Sequence, residues 1–190
     1  MAPNIGLYTI SATLILDNEG ERLYAKYYRE SESHQYQTLS QQLQFEKNLF
    51  SKINKLHQDI ILYDNHLITY KQTNDIILIT VAPLNENESL VYSLTNNLNE
   101  ALNILLDSTF DKITVLEKYD LVSLCVDECI DDGIILEIDP AILVSRVTNP
   151  PTASNVSNDL NIHIDLSERG LFNALSFASK KLGEKLQQGL

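Results

Sequence analysis

Three β-rich runs, Ile60–Tyr63, Leu67–Lys71 and Ile76–Ala82, follow one another with only short spacers, among them Asp64-Asn65 and Thr73-Asn74-Asp75. No crossover helix fits into spacers of that length, so consecutive strands must reverse direction and pair as an antiparallel meander. Asp and Asn tolerate the left-handed backbone that tight reversals need. Pro83, which has no N–H to offer a ladder, closes the last run.

The N-terminal stretch repeats the period of two. Tyr8, Ile10, Ala12, Leu14 and Leu16 fall on one face, with Thr9, Ser11 and Thr13 opposite, which predicts a half-buried strand. Asp17-Asn18-Glu19-Gly20 supplies a turn. Leu23, Ala25 and Tyr27 then alternate with Tyr24, Lys26 and Tyr28 to complete a hairpin. Helical spacing governs the remainder. Thr38 and Gln41 suit a capping box for a helix reaching Leu56, with Phe45, Leu49, Ile53 and Leu56 as its apolar positions. A second helix is expected over Glu88–Asp107 and a third over Thr114–Ile130, with Gly133 as C-terminal cap of the third. Asp139 and Pro140 predict the cap and first turn of a short helix over Ala141–Val147. The expected class is α+β: one five-stranded antiparallel sheet in the order β-β-α-β-β-β-α-α, with helices on both faces.

At Thr148-Asn149-Pro150-Pro151 the composition shifts, so a compact domain is expected over 1–149, a flexible Pro/Ser/Asn-rich linker over 150–165 and an amphipathic tail helix over 166–190. Leu171, Leu175, Ala178, Leu182 and Leu186 make the stripe of that tail, broadened by Phe172 and Phe177. They form a candidate face for docking on protein or on membrane. The formal net charge is −12. Residues 167–190 hold Arg169, Lys180, Lys181 and Lys185 against Glu168 and Glu184, a net of +2, which leaves −14 for the rest. A surface so acidic repels phosphates and argues against a nucleic-acid partner. The opening MAPNIGLYTI lacks the features of a secretory signal, no apolar run approaches the ~20 residues of a membrane span, and two cysteines are too few for a disulfide scaffold. The expectation is a cytosolic chain.

Chemistry-bearing patterns are sparse. Cys125 and Cys129 lie four apart on the third helix without further ligands for zinc, and read as small buried hydrophobes. Asp127, Glu128, Asp131 and Asp132 lack the spacing of a calcium loop. His34, His57, His66 and His163 are scattered, G-x-S-x-G is absent, and the six glycines form no phosphate cradle. No catalytic residue, metal or cofactor is expected. The third helix points elsewhere. Its segment Leu121–Val126 is apolar nearly all round and needs cover on more than one side. Leu121, Val122, Ile130, Leu136, Ile142 and Leu143 are therefore a candidate partner interface.

Two stretches carry a family resemblance. ATLILDNEGERLYAKYY, residues 12–28, resembles the opening hairpin of the small, longin-fold subunits of vesicle coats, a group that includes the sigma chains of clathrin adaptors and the zeta chains of coatomer. VDECIDDGIILEID, residues 126–139, resembles the V-D-E-x-x-x-x-G-x-I-x-E-T signature of that group, with Ile138 in place of the threonine. Gly20, Ala25, Lys26, Asp127, Glu128, Gly133 and Glu137 are the matching signature positions. G-E-R-x-Y-A-K-Y-Y at 20–28 and S-R-V-T-N-P-P at 145–151 are similar to the zeta branch. The resemblance implies a longin-like fold and a non-catalytic subunit of the COPI coat, clasped by the trunk of the coatomer gamma subunit beside the remaining coat subunits. It further implies recruitment through an Arf-type GTPase, peripheral coat-mediated attachment to Golgi membranes and COPI-coated vesicles, and Golgi-to-ER retrograde and intra-Golgi transport. Another longin-fold trafficking subunit, sigma-like or fusion-regulatory, is the alternative. Sigma chains read acidic dileucine signals with a basic residue two places before the A-K pair. That position is Leu23 here, and Arg22 is expected on the opposite face of the strand.

Overall fold

The computed structural model describes residues 9–28, 36–56 and 58–148. The hairpin forms as β1 (Ala12–Asp17) and β2 (Arg22–Tyr27), and the meander as β3 (Ile60–Tyr63), β4 (His66–Thr73) and β5 (Ile76–Pro83). These strands make one sheet in the order β2-β1-β5-β4-β3, antiparallel throughout. The turns are built as the side chains demand: Asp64, Asn65 and Asn74 all take positive φ. Placing β1 against β5 puts β2 and β3 at the two edges.

Helix α1 (Leu39–Leu56) covers one face. The Thr38 hydroxyl accepts from the Gln41 N–H at 3.3 Å, and the Gln41 side-chain carbonyl accepts from the Thr38 N–H at 3.1 Å, which is the expected capping box. Phe45, Leu49 and Ile53 pack on Leu14, Leu16, Ile68, Ile77 and Ile79. The other face is covered by α2 (Glu88–Leu105), α4 (Tyr119–Cys129) and α5 (Pro140–Thr148), which bury Ile15, Leu67, Ile76 and Leu78. Asp139 caps α5, its carboxylate accepting from the N–H groups of Ala141 and Ile142 at 2.9 and 3.1 Å.

Three expectations are corrected. β1 is not half-buried. Every residue in it is buried, because helices lie on both sides of the sheet. The Thr13 hydroxyl on its polar face lies 3.4 Å from the Tyr28 hydroxyl, and a row of threonines continues across the sheet. Thr13 pairs with Thr80, and Thr80 with Thr69, across three strands. Thr95 of α2 sets its Oγ1 2.6 Å from that of Thr69, 2.9 Å from that of Thr80 and 2.9 Å from the Val91 carbonyl oxygen. Second, the expected helix over Thr114–Ile130 is two helices, α3 (Lys112–Glu117) and α4, broken at Lys118, whose φ of −112° and ψ of 36° leave the helical region. Asp111 caps α3, its Oδ1 accepting from the Thr114 N–H at 2.8 Å. The break sets Tyr119 against Tyr24, with ring centroids 5.7 Å apart. Third, Gly133 does not cap a helix. α4 ends where Ile130 turns extended, and Asp132 and Gly133 form the two-residue turn of a small hairpin, β6 (Ile130–Asp131) with β7 (Ile134–Ile135). Both turn residues have positive φ, as a type I′ turn requires. The expected domain end, linker and tail, including Leu171, Phe172, Leu175, Phe177, Leu182 and Leu186, lie outside the described residues.

Candidate functional site

The two signature stretches, far apart in sequence, meet in space. Lys26 on β2 sets its Nζ 2.6 Å from Asp127 Oδ1 on α4, across a separation of 101 residues. Further along, the Gly133 carbonyl accepts from the N–H groups of Thr9 and Ile10, at 2.9 and 3.0 Å, just before β1. Gly133 fits because it has no side chain. Its φ is +85°, and a Cβ there would lie 2.6 Å from the Ile10 carbonyl oxygen. Glu137 works at the next junction. Its Oε1 accepts from the N–H groups of Ile138 and Asp139, and its Oε2 lies 3.3 Å from Arg146 Nη2 on α5. Glu128 on α4 reaches the same guanidinium at 3.8 Å. The hairpin at one edge of the sheet is thus fastened to the α4–β6–β7 segment through Asp127 and Gly133, while Glu128 and Glu137 tie α4 and the stretch after β7 to Arg146 of α5.

Gly20 serves the opposite end of the hairpin. Its φ is also +85°, and a Cβ would lie 2.5 Å from Phe50 Cδ1 on α1. Ala25 packs against the α1-side core. Arg22 turns towards α1, where the buried Glu46 carboxylate takes its guanidinium at 2.6 and 2.9 Å and the Tyr27 hydroxyl at 2.8 Å. Leu23 packs instead on the core beneath α2, α4 and α5. The hairpin turn is closed by Asp17, a wholly buried carboxylate that accepts from the N–H groups of Glu19 and Glu21 and from Lys112 Nζ at 2.7 Å. Burial pushes this carboxyl up. The Lys112 ammonium and the two backbone donors outweigh that and hold it below its ordinary range.

The candidate interface residues separate into two groups. Val122, Ile130 and Leu143 are wholly buried in the domain's own core and present nothing to a partner. The cover that the apolar α4 needs comes largely from α2, α5 and the sheet. Leu121 is partly buried, while Leu136 and Ile142 are exposed. Cys125 and Cys129 are core residues, and burial pushes both thiols up to about 12. Among the described residues no group of His, Cys, Asp and Glu could hold a metal ion, and no helix is long and apolar enough to cross a membrane.

Sequence reasoning passed over Arg146, the common partner of two signature glutamates, and Glu46, the buried partner of Arg22. It also passed over an exposed strip on α3, Ile113 and Leu116. Arg146 did leave a signal. It is the lone base between Tyr119 and Thr148, in a stretch where Asp120, Asp127, Glu128, Asp131, Asp132, Glu137 and Asp139 all precede it.

A sheet with helices on both faces, closed by this junction, defines a class. The chain belongs to the clathrin adaptor complex small chain family, whose model matches residues 9–153. The fold is the longin-like fold of adaptor small subunits. A chain of a homology model of the full-length AP-3 complex in a stretched open conformation superposes with a TM-score of 0.59 at 14% identity, over 73% of this chain and 91% of that one, and this likeness concerns the fold alone. Within the family, the similarity is to coatomer zeta subunits. The coatomer subunit zeta of Saccharomyces cerevisiae is 42% identical over 193 residues, covering 98% of this chain and 99% of the yeast protein. The human coatomer subunit zeta-1 is 38% identical over 141 residues, covering 74% of this chain and 77% of the human one. These relatives are coatomer subunits.

Proposed function

We propose that the chain is a non-catalytic structural subunit of the COPI coat, clasped by the coatomer gamma subunit and acting in Golgi-to-ER retrograde and intra-Golgi transport. The observation that carries this reading is the end-to-end similarity to a coatomer zeta subunit, 42% identity over 98% of the chain. The site geometry is compatible with it, since the signature side chains are spent on internal fastening and leave no constellation for chemistry. The disposition of Arg22 favours the zeta reading over a sigma-like one. A cation engaged by a buried carboxylate on α1 is not free to meet an acidic sorting signal. Membrane attachment is then peripheral, through the assembled coat and its Arf-type GTPase. Affinity capture of the tagged full chain from cell extract tests the proposal, with bound proteins identified by mass. Recovery of the gamma subunit with the other coatomer chains supports it. Recovery of clathrin-adaptor large chains in their place would assign the chain to the sigma branch.

A further inference from the structure

α3 lies along the edge of the sheet and is fixed at both ends: Lys112 to Asp17 at the close of β1, and Tyr119, just past α3, to Tyr24 on β2. Only Val115 of α3 is buried. Ile113, Leu116 and Tyr119 recur every three residues with exposures of 68%, 53% and 45%. A helix this short gains little from propensity alone, and an apolar row kept in water on it gives the domain no core contact.

Two features beside this row describe what would cover it. β2 is an edge strand. The Tyr28 N–H donates to the Ser11 carbonyl, and by antiparallel alternation the backbone groups of Ala25 and Tyr27 face outward, with no strand among the described residues pairing with them. The charges around the row are also one-sided. Its neighbouring bases are all engaged by acids of the domain, Lys112 by Asp17, Lys118 by Asp107 and Arg22 by Glu46. Glu19, Glu21, Glu117 and Asp120 hold no ion pair among the described residues. The surface is an apolar centre with an unneutralised acidic rim. Its complement is an apolar patch bordered by Lys and Arg, since charges flanking an interface set partner choice and encounter rate.

Resting on the reading of the chain as a coatomer small subunit, we infer that the Ile113–Leu116–Tyr119 row, with the free edge of β2, is the surface on which the large gamma subunit docks, through an apolar face rimmed by basic residues. The other edge strand, β3, also exposes Leu62, but there Lys52 stands over the Tyr63 ring of the same strand, so the charges at that edge are not one-sided. Leu62 on β3, 60% exposed, serves as the comparison site.

The test co-expresses the full chain with the gamma trunk and measures capture of gamma by the tagged small subunit. Wild type, Leu116→Asp, Glu117→Lys with Asp120→Lys, and Leu62→Asp are compared. Leu116→Asp should lose about tenfold or more in affinity, as truncation of a central apolar contact does. The double charge reversal should slow association and flatten its salt dependence, while Leu62→Asp should bind as wild type. Leu116 is exposed, so an unchanged melting curve for the isolated variant shows that the domain is intact; if that variant misfolds, the charge reversal alone decides. Normal capture by both row variants overturns the inference and leaves the coat reading standing. Absence of capture by wild type overturns the coat reading itself. Self-association of the chain through the row, abolished by Leu116→Asp while gamma capture persists, would reassign the surface to a second copy and overturns the inference as well.

Discussion

At Gly133 two demands coincide, a left-handed φ of +85° and a carbonyl oxygen 2.6 Å from where a side chain would begin. The obstacle is backbone, which cannot swing aside. Gly133→Ala should therefore lower stability by about 1–3 kcal/mol in urea unfolding. Gly20→Ala shares the φ but meets the Phe50 ring, a side chain with some freedom to yield, so its loss should be the smaller of the two. Asp17 gives a pH signature. A carboxyl held below its ordinary range in the fold contributes stability above its unfolded pKa, and that contribution disappears as pH falls through the folded value. The stability gap between wild type and Asp17→Asn should accordingly be widest near neutrality and close as pH drops below about 4. Cys125 and Cys129, with burial raising their thiols to about 12, should resist thiol reagents in the native protein and react at once when it is unfolded.

At the scale of elements, the Thr69–Thr80–Thr95 cluster joins α2 to the middle of the sheet. Thr95→Val keeps the volume and removes the hydroxyl. If hydrogen bonding holds the cluster, this change should cost on the order of 1–3 kcal/mol by leaving buried Thr69 and Thr80 short of a partner. A neutral result would show that α2 is held by apolar packing alone. Leu14→Ala, beneath α1, should cost about 2–5 kcal/mol through lost burial and a cavity. The sheet and α1 are legible in the sequence, because period-two runs, two-residue turns and a Thr38/Gln41 box are local signals. What escapes is tertiary. Thr13 of β1 reads as part of a solvent face because alternation cannot tell a hydroxyl facing water from one facing the buried Tyr28 hydroxyl. The stretch 114–130 reads as one helix because its apolar spacing hardly changes at Lys118, where the chain breaks and Tyr119 meets Tyr24. Gly133 reads as a cap because Asp-Gly also closes a hairpin. Val122, Ile130 and Leu143 read as an outward face since the cover supplied by α2 and α5 is invisible in the sequence order.

For the whole molecule, the signature residues are explained by folding and the surface proposed for a partner lies elsewhere. Asp127 and Gly133 fasten the sheet edge to α4 and the hairpin after it, Glu128 and Glu137 join α4 to α5 through Arg146, and the exposed apolar row runs along α3 to the first residue of α4. A subunit built this way folds its own core and still leaves apolar area for a large partner, so its stability should depend on that partner's concentration. The most direct check is analytical ultracentrifugation of the full chain with the gamma trunk, followed by thermal melting of whatever forms. A one-to-one complex is predicted, with the small subunit melting at a higher temperature in it than alone. A chain that stays monomeric beside gamma, with an unchanged melting temperature, would contradict the account.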